Sequence, residues 1–175
     1  MNHEKLNFSF NENMEEISLD LIDLRLLDAL QHDALQTNQE LAASVHISPP
    51  TCMRRVQRLR AAGMIERQVA LLSPDRLSPL LGHGLQALTE ISLDRQDAAS
   101  LDAFEARAVA DDAVQQCWRV SPGPDFILVV IARDMPDYHA LAQRLFNADA
   151  NVRNVKAFFS VKRAKFDPRL PLFPI

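Results

Sequence analysis

Glycine is scarce in this chain, with four residues in 175. No stretch can cradle a phosphate in the way Gly-rich nucleotide loops do. The two cysteines, Cys52 and Cys117, lie in different segments, so neither a zinc cluster nor a disulfide framework is expected. His3, His32, His46, His83 and His139 are scattered without the spacing of metal ligands. No apolar run is long enough to span a bilayer. The opening MNHEKLNFSFNENMEEI is polar and acidic, without the basic start and apolar centre of a signal peptide. A cytoplasmic protein with no metal, no cofactor and no membrane contact is expected. No pairing of nucleophile and base stands out, so no catalytic residue is assigned and an enzyme is not expected.

What is present is concentrated in residues 40–65, which read as two helices joined by a tight turn. Leu41, Ala42 and Val45 form the inner face of the first helix, and His46-Ile47 makes the turn. Histidine tolerates a left-handed conformation better than most residues. Ser48 is expected as an N-cap with Pro49 at the first helical position, where its missing N–H costs nothing. Gly63 is expected to end the second helix in the left-handed region. On that helix Cys52, Val56 and Leu59 share one face, and Thr51, Arg54 and Arg58 the other. An apolar inner face and an arginine outer face predict a helix-turn-helix whose second helix enters a DNA major groove. The expected DNA contacts are Ser48, Pro50, Thr51, Arg54, Arg55 and Arg58, with Arg54 and Arg58 at base edges or phosphates and Arg55 and Arg60 on phosphates. The plainer alternative is a helix pair with a solvated basic face.

The net charge of −4 does not exclude double-stranded DNA as the partner, because distribution matters more than the total. Between residues 48 and 68, Arg54, Arg55, Arg58, Arg60 and Arg67 face Glu66 alone. A locally basic surface on an acidic body still binds phosphate.

Taken in order, residues 1–17 read as a flexible arm, and residues 18–64 as a three-helix, winged-helix-like head. Ser18 or Asp20 opens its first helix, along which Leu19, Ile22, Leu26, Leu27 and Leu30 recur at helical spacing, and Thr37 caps the next. Residues 65–81 read as a connecting strand (65–72) and hinge, broken up by Ser73-Pro74 and Ser78-Pro79. Residues 82–175 then read strand 85–93, helix 97–110, strand 114–120, strand 126–132, helix 136–146 and strand 152–162. This βαββαβ order predicts a ferredoxin-like domain and an α+β protein overall. Two helices cover one face of such a sheet, yet FILVVIA (126–132) does not alternate with polar residues. Its second face is therefore expected to meet the sheet of a second copy in a symmetric dimer, the alternative being a monomer whose own arm covers it.

These residues resemble the leucine-responsive (Lrp/AsnC) family of transcriptional regulators over about residues 19–165. Leu19-Asp20-x-x-Asp23-x-x-Leu26-Leu27 resembles the family's opening helix, and Glu40-Leu41-Ala42 with Ile47-Ser48-Pro49 its first DNA-binding helix and turn. Arg54-Arg55-Val56-x-Arg58-Leu59, followed by Gly63-Met64-Ile65, resembles its recognition helix. The resemblance implies dimers joined through their sheets, often assembled into octamers, and a small amino-acid effector such as leucine or methionine bound between dimers. It implies control of amino-acid metabolism genes.

The matching effector region is Arg119, Val120, Ser121, Pro122, Gly123, Pro124 and Asp125, with Phe158 and Ser160 on the last strand. The family loop reads Gly-Asp-x-Asp-Tyr. Here Pro122 stands at the first Gly, Gly123 at the first Asp and Phe126 at the Tyr, so only Asp125 is kept. Asp125 then receives either a ligand ammonium group or backbone N–H groups, and Arg119 faces either a ligand carboxylate or solvent. Two alternatives of similar architecture remain, a ligand-sensing partner that does not bind DNA and a sirohaem-decarboxylase-like enzyme.

Overall fold

The computed structural model describes residues 18–82 and 84–173, the side chain of Asp75 apart. The expected arm at 1–17, with His3, and His83 lie outside the described residues. The chain divides into two compact units.

The first unit holds three helices: α1 (Leu21–His32), α2 (Asn38–Ser44) and α3 (Pro49–Ala61). Local chemistry sets their ends. Asp20 caps α1 in a capping box, its carboxylate accepting from the Asp23 N–H while the Asp20 N–H donates to the Asp23 carboxylate. Thr37 and Glu40 repeat the device on α2. That helix closes through His46, which has φ 57. The His46 and Ile47 amides donate back to the Ala43 and Ala42 carbonyls, a Schellman closure. At the end of α3, Gly63 (φ 70) does the same, and the Met64 amide reaches the Leu59 carbonyl at 3.0 Å. Ser48 occupies the N-cap position of α3, but its hydroxyl meets the Thr51 hydroxyl and caps no backbone N–H. The three helices bury Leu26, Leu41, Ala42, Val45, Cys52, Val56 and Leu59 in one core.

The expected strand at 65–72 does not form. No described residue forms a ladder with it and most of its side chains are exposed, and strand-like patterning without a ladder leaves its N–H and C=O groups to water. The Ser-Pro pairs, expected to break the chain, instead belong to a helix, α4 (Pro74–Leu81), with Pro74 in its first turn. Proline breaks a helix from the interior but is favoured at N1, where its missing N–H has no partner to lose. Pro79 sits inside α4, which Gly82 then stops at φ 68.

The second unit is built on an antiparallel sheet of β1 (Leu85–Leu93), β2 (Val114–Arg119), β3 (Phe126–Ala132) and β4 (Val152–Phe159), in the order β2-β3-β1-β4. Helices α5 (Ala98–Val109) and α6 (Met135–Ala142) complete the βαββαβ chain, and α6 runs on into a π-helical turn at Gln143–Asn147. β4 stops at Phe159, short of the expected Lys162, because Phe159 already pairs with Ala87 near the start of β1. One sheet face carries Ala87, Ile91, Phe126, Leu128 and Val130 into a core with Phe104, Leu141 and Phe146, and buries Thr89 on the same side. The other face carries Leu88, Ile127, Val129 and Phe158, with Trp118 beside Ile127.

The C-terminal tail, expected as part of the second domain, groups with the first unit instead. The Gln31 side-chain amide holds Leu170 at both ends, donating to its carbonyl and accepting from its N–H at 2.8 Å each. A side-chain amide thus stands in for a ladder partner of the tail. Among the described residues no helix is long and apolar enough to cross a membrane.

Candidate nucleic-acid interface and effector loop

The outward surface of α3 follows from its inner face. With Cys52, Val56 and Leu59 buried at helical spacing, Arg54 and Arg58 are necessarily exposed, and Ser48 and Pro50 stand exposed at its start. Asn38 anchors that start to α2 by donating to the Pro49 carbonyl at 2.8 Å. Arg54 has no ion pair among the described residues, and Arg60 donates to Gln68.

Arg55 departs from its expected role on a phosphate. Its Nη1 donates to Asp20 and to Asp23, 2.8 Å each, so the side chain turns back into the head. Arg58 is half exposed and its Nη2 donates to the other oxygen of Asp23. Asp20, Arg54, Arg55 and Arg58 together line a concavity of about 120 Å³. Burial alone would raise the Asp20 carboxyl, but the Asp23 N–H and the Arg55 guanidinium outweigh it and hold the group below its ordinary range. The Asp23 hydrogen bond in turn raises Arg55, which stays charged. Sequence reasoning missed Asp20 and Asp23 as partners of these arginines. The available signal was Asp23 itself, a carboxylate set in the apolar stripe of Ile22, Leu26 and Leu30, where an acid requires a cation.

The expected effector residues fall into two places. Residues 120–125 turn the chain from β2 to β3 through a cis Ser121-Pro122 bond and Gly123 at φ 127. Asp125 fastens this turn to β1: its N–H donates to the Ile91 carbonyl at 2.8 Å and its carboxylate accepts from the Leu93 N–H at 2.7 Å. Of the two partners expected for that carboxylate, the chain supplies the backbone one. Val120 donates to the Asp125 carbonyl and closes the loop. Arg119 pairs with Asp102 and Glu105 of α5 at 2.7 Å each, lies over the Phe126 ring and stays partly exposed to solvent. The Asp102 hydrogen bond raises Arg119 further. Phe158 pairs with Leu88 and is 54% exposed, and the Ser160 N–H donates to the Gln86 carbonyl. The loop therefore meets β1 at Ile91 while Ser160 meets it at Gln86, five residues back. At roughly 3.4 Å per residue that is about 17 Å. Within one chain Ser160 stays apart from the loop, with Phe158 between them opposite Leu88. Burial pushes the Cys117 thiol up, away from reactive thiolate.

A helix-turn-helix head with an arginine-bearing second helix, joined to a separate βαββαβ domain, defines a DNA-binding transcriptional regulator. Residues 19–66 match the family model for a winged helix-turn-helix DNA-binding domain, and residues 86–170 the Lrp/AsnC ligand binding domain. The leucine-responsive regulatory protein of Rhizobium meliloti is 36% identical over 149 residues, 85% of this chain and 93% of that protein. An AsnC family transcriptional regulator from Agrobacterium tumefaciens superposes with a TM-score of 0.78 at 28% identity, covering 88% of this chain and 97% of that one. A transcriptional regulator from Neisseria meningitidis, solved as a complex with L-Met, also gives 0.78, at 29% identity over 88% and 97%. The chain belongs to the Lrp/AsnC family of transcriptional regulators, and a role in transcription, rather than catalysis, follows from its relatives.

Proposed function

We propose that this regulator controls genes of amino-acid metabolism in the cytoplasm, binding promoter DNA as a symmetric homodimer and responding to a small amino acid such as leucine or methionine. The DNA contacts in this reading are Ser48, Pro50, Thr51, Arg54 and Arg58, with Arg55 bracing the helix from behind. Dimerisation uses the outer sheet face, where Leu88, Trp118 and Phe158 stand exposed around half-buried Ile127 and Val129. An apolar face of this kind, on a sheet that the described residues cover on one side, favours a second sheet as its partner.

The effector reading rests on the separation along β1. Because residues 120–125 meet β1 at Ile91 and Ser160 meets it at Gln86, with Phe158 between them opposite Leu88, an effector touching both the loop and Ser160 spans two copies of the chain and couples its own binding to assembly. With Asp125 and Arg119 already engaged, the amino acid meets this loop chiefly through backbone groups. The L-Met complex of the Neisseria relative supports the ligand class.

Gel-shift binding to DNA from the protein's own promoter region tests the reading, run across a salt series with and without leucine and methionine. Sequence-preferring, salt-sensitive binding that shifts with either amino acid is expected. Binding indifferent to both removes the effector, and absence of binding at low salt removes the DNA contacts.

A further inference from the structure

We propose that Asp23, on α1 and outside the helix-turn-helix pair, is a positioning residue that aims Arg58 at DNA. The inference rests on the reading above that Arg58 touches operator DNA. The Asp23 side chain is 1% exposed, yet it carries a carboxylate. One oxygen accepts from Arg55 and the other from Arg58, at 2.8 and 2.5 Å, while the Asp20 N–H adds a third bond. A buried carboxylate persists only with such partners. Arg55 is held a second time, by Asp20, so the acid is fixed from one side and free to orient Arg58 on the other.

Arg58 is 50% exposed. One edge of its guanidinium is anchored inward and the rest of its fork of N–H donors remains for a partner outside. A long, flexible side chain normally loses rotamer freedom when it binds. Here that freedom is already lost in the unbound protein, which is preorganisation. Two opposite effects can be separated. Asp23 also places negative charge behind the DNA-facing surface, so as a bare charge it would weaken attraction to phosphate, and its removal would tighten binding. As a positioning group, its removal loosens binding.

The test is a double-mutant cycle on operator affinity in the full-length protein, using Asp23→Asn, Arg58→Ala and the pair. Positioning predicts that Asp23→Asn weakens operator binding about tenfold, and that the double variant binds no worse than Arg58→Ala alone, because the two residues act as one unit. Tighter binding by Asp23→Asn overturns the inference, and so do losses that multiply in the double variant, the result of a purely structural acid. Arg58→Ala binding like the parent removes Arg58 from the interface and takes the inference with it, a result distinct from multiplying losses. If Asp23→Asn does not fold, Arg58→Lys decides. Lysine keeps the charge but cannot fork between carboxylate and DNA, so parent-like affinity overturns positioning and a loss close to that of Arg58→Ala supports it.

Discussion

Leu88→Asp is the sharpest perturbation of the proposed dimer. Leu88 sits on the central strand β1, beside Val129 on one side and Phe158 on the other, and is 44% exposed. Fully burying a leucine is worth about 1.5–3 kcal/mol, so covering the exposed fraction contributes roughly 1 kcal/mol per copy. A twofold axis counts it twice, giving about 2 kcal/mol. The introduced carboxylates add a penalty, since each is taken out of water where the leucine was covered. A total loss of at least about 3 kcal/mol corresponds to roughly a hundredfold weaker dimer. Sedimentation velocity over a dilution series reads this directly, and the thermal midpoint serves as control, because position 88 adds nothing to the core of its own domain. An unchanged sedimentation coefficient down to low concentration would refute the face-to-face assembly. Operator affinity should fall alongside, since a monomer holds a single half-site.

Three further outcomes follow from individual contacts. His46→Gly relieves an L-residue held at φ 57; the left-handed cost of about 1–2 kcal/mol exceeds the extra entropy lost by glycine, about 0.5–1 kcal/mol, so the head gains stability and its thermal midpoint rises. A lower midpoint refutes this. The Arg144 hydrogen bond holds the Asp111 carboxyl below its ordinary range; a depressed folded pKa gives stability that is present above the unfolded value of about 3.9 and lost as pH falls through the folded one. Denaturant unfolding between pH 5 and 2 should therefore show a shallower acid limb in Asp111→Asn than in the parent, and parallel limbs would refute the pairing. Gln31→Ala removes both amide bonds to Leu170 and should speed hydrogen exchange at the Leu170 N–H by releasing the tail, whereas unchanged protection would mean that other contacts hold it.

What the sequence revealed depended on how far apart the deciding residues lie. Thr37, Gly63 and the span of β3 were legible because caps, a left-handed glycine and an apolar run act within a few residues. The strand expected at 65–72 failed because a strand is completed by a partner elsewhere in the chain, and α4 was missed because Pro74 starts a helix with the same residue that ends others. The site divides in the same way. Periodicity placed Arg54 and Arg58 outside, but whether an arginine's charge reaches the surface was decided 32 and 35 residues away, at Asp23 and Asp20. Counting arginines along α3 thus overstates its positive field. Arg55 and Arg58 are offset by two carboxylates, and Arg67 lies beside Glu66, which leaves Arg54 and Arg60 as its main uncompensated cations. Non-specific DNA affinity follows the number of phosphates neutralised, whereas discrimination between sequences follows the placement of donors at base edges. A helix whose arginines are tethered and partly neutralised has little of the first and retains the second. Weak non-specific binding by this head is therefore compatible with sequence-specific recognition.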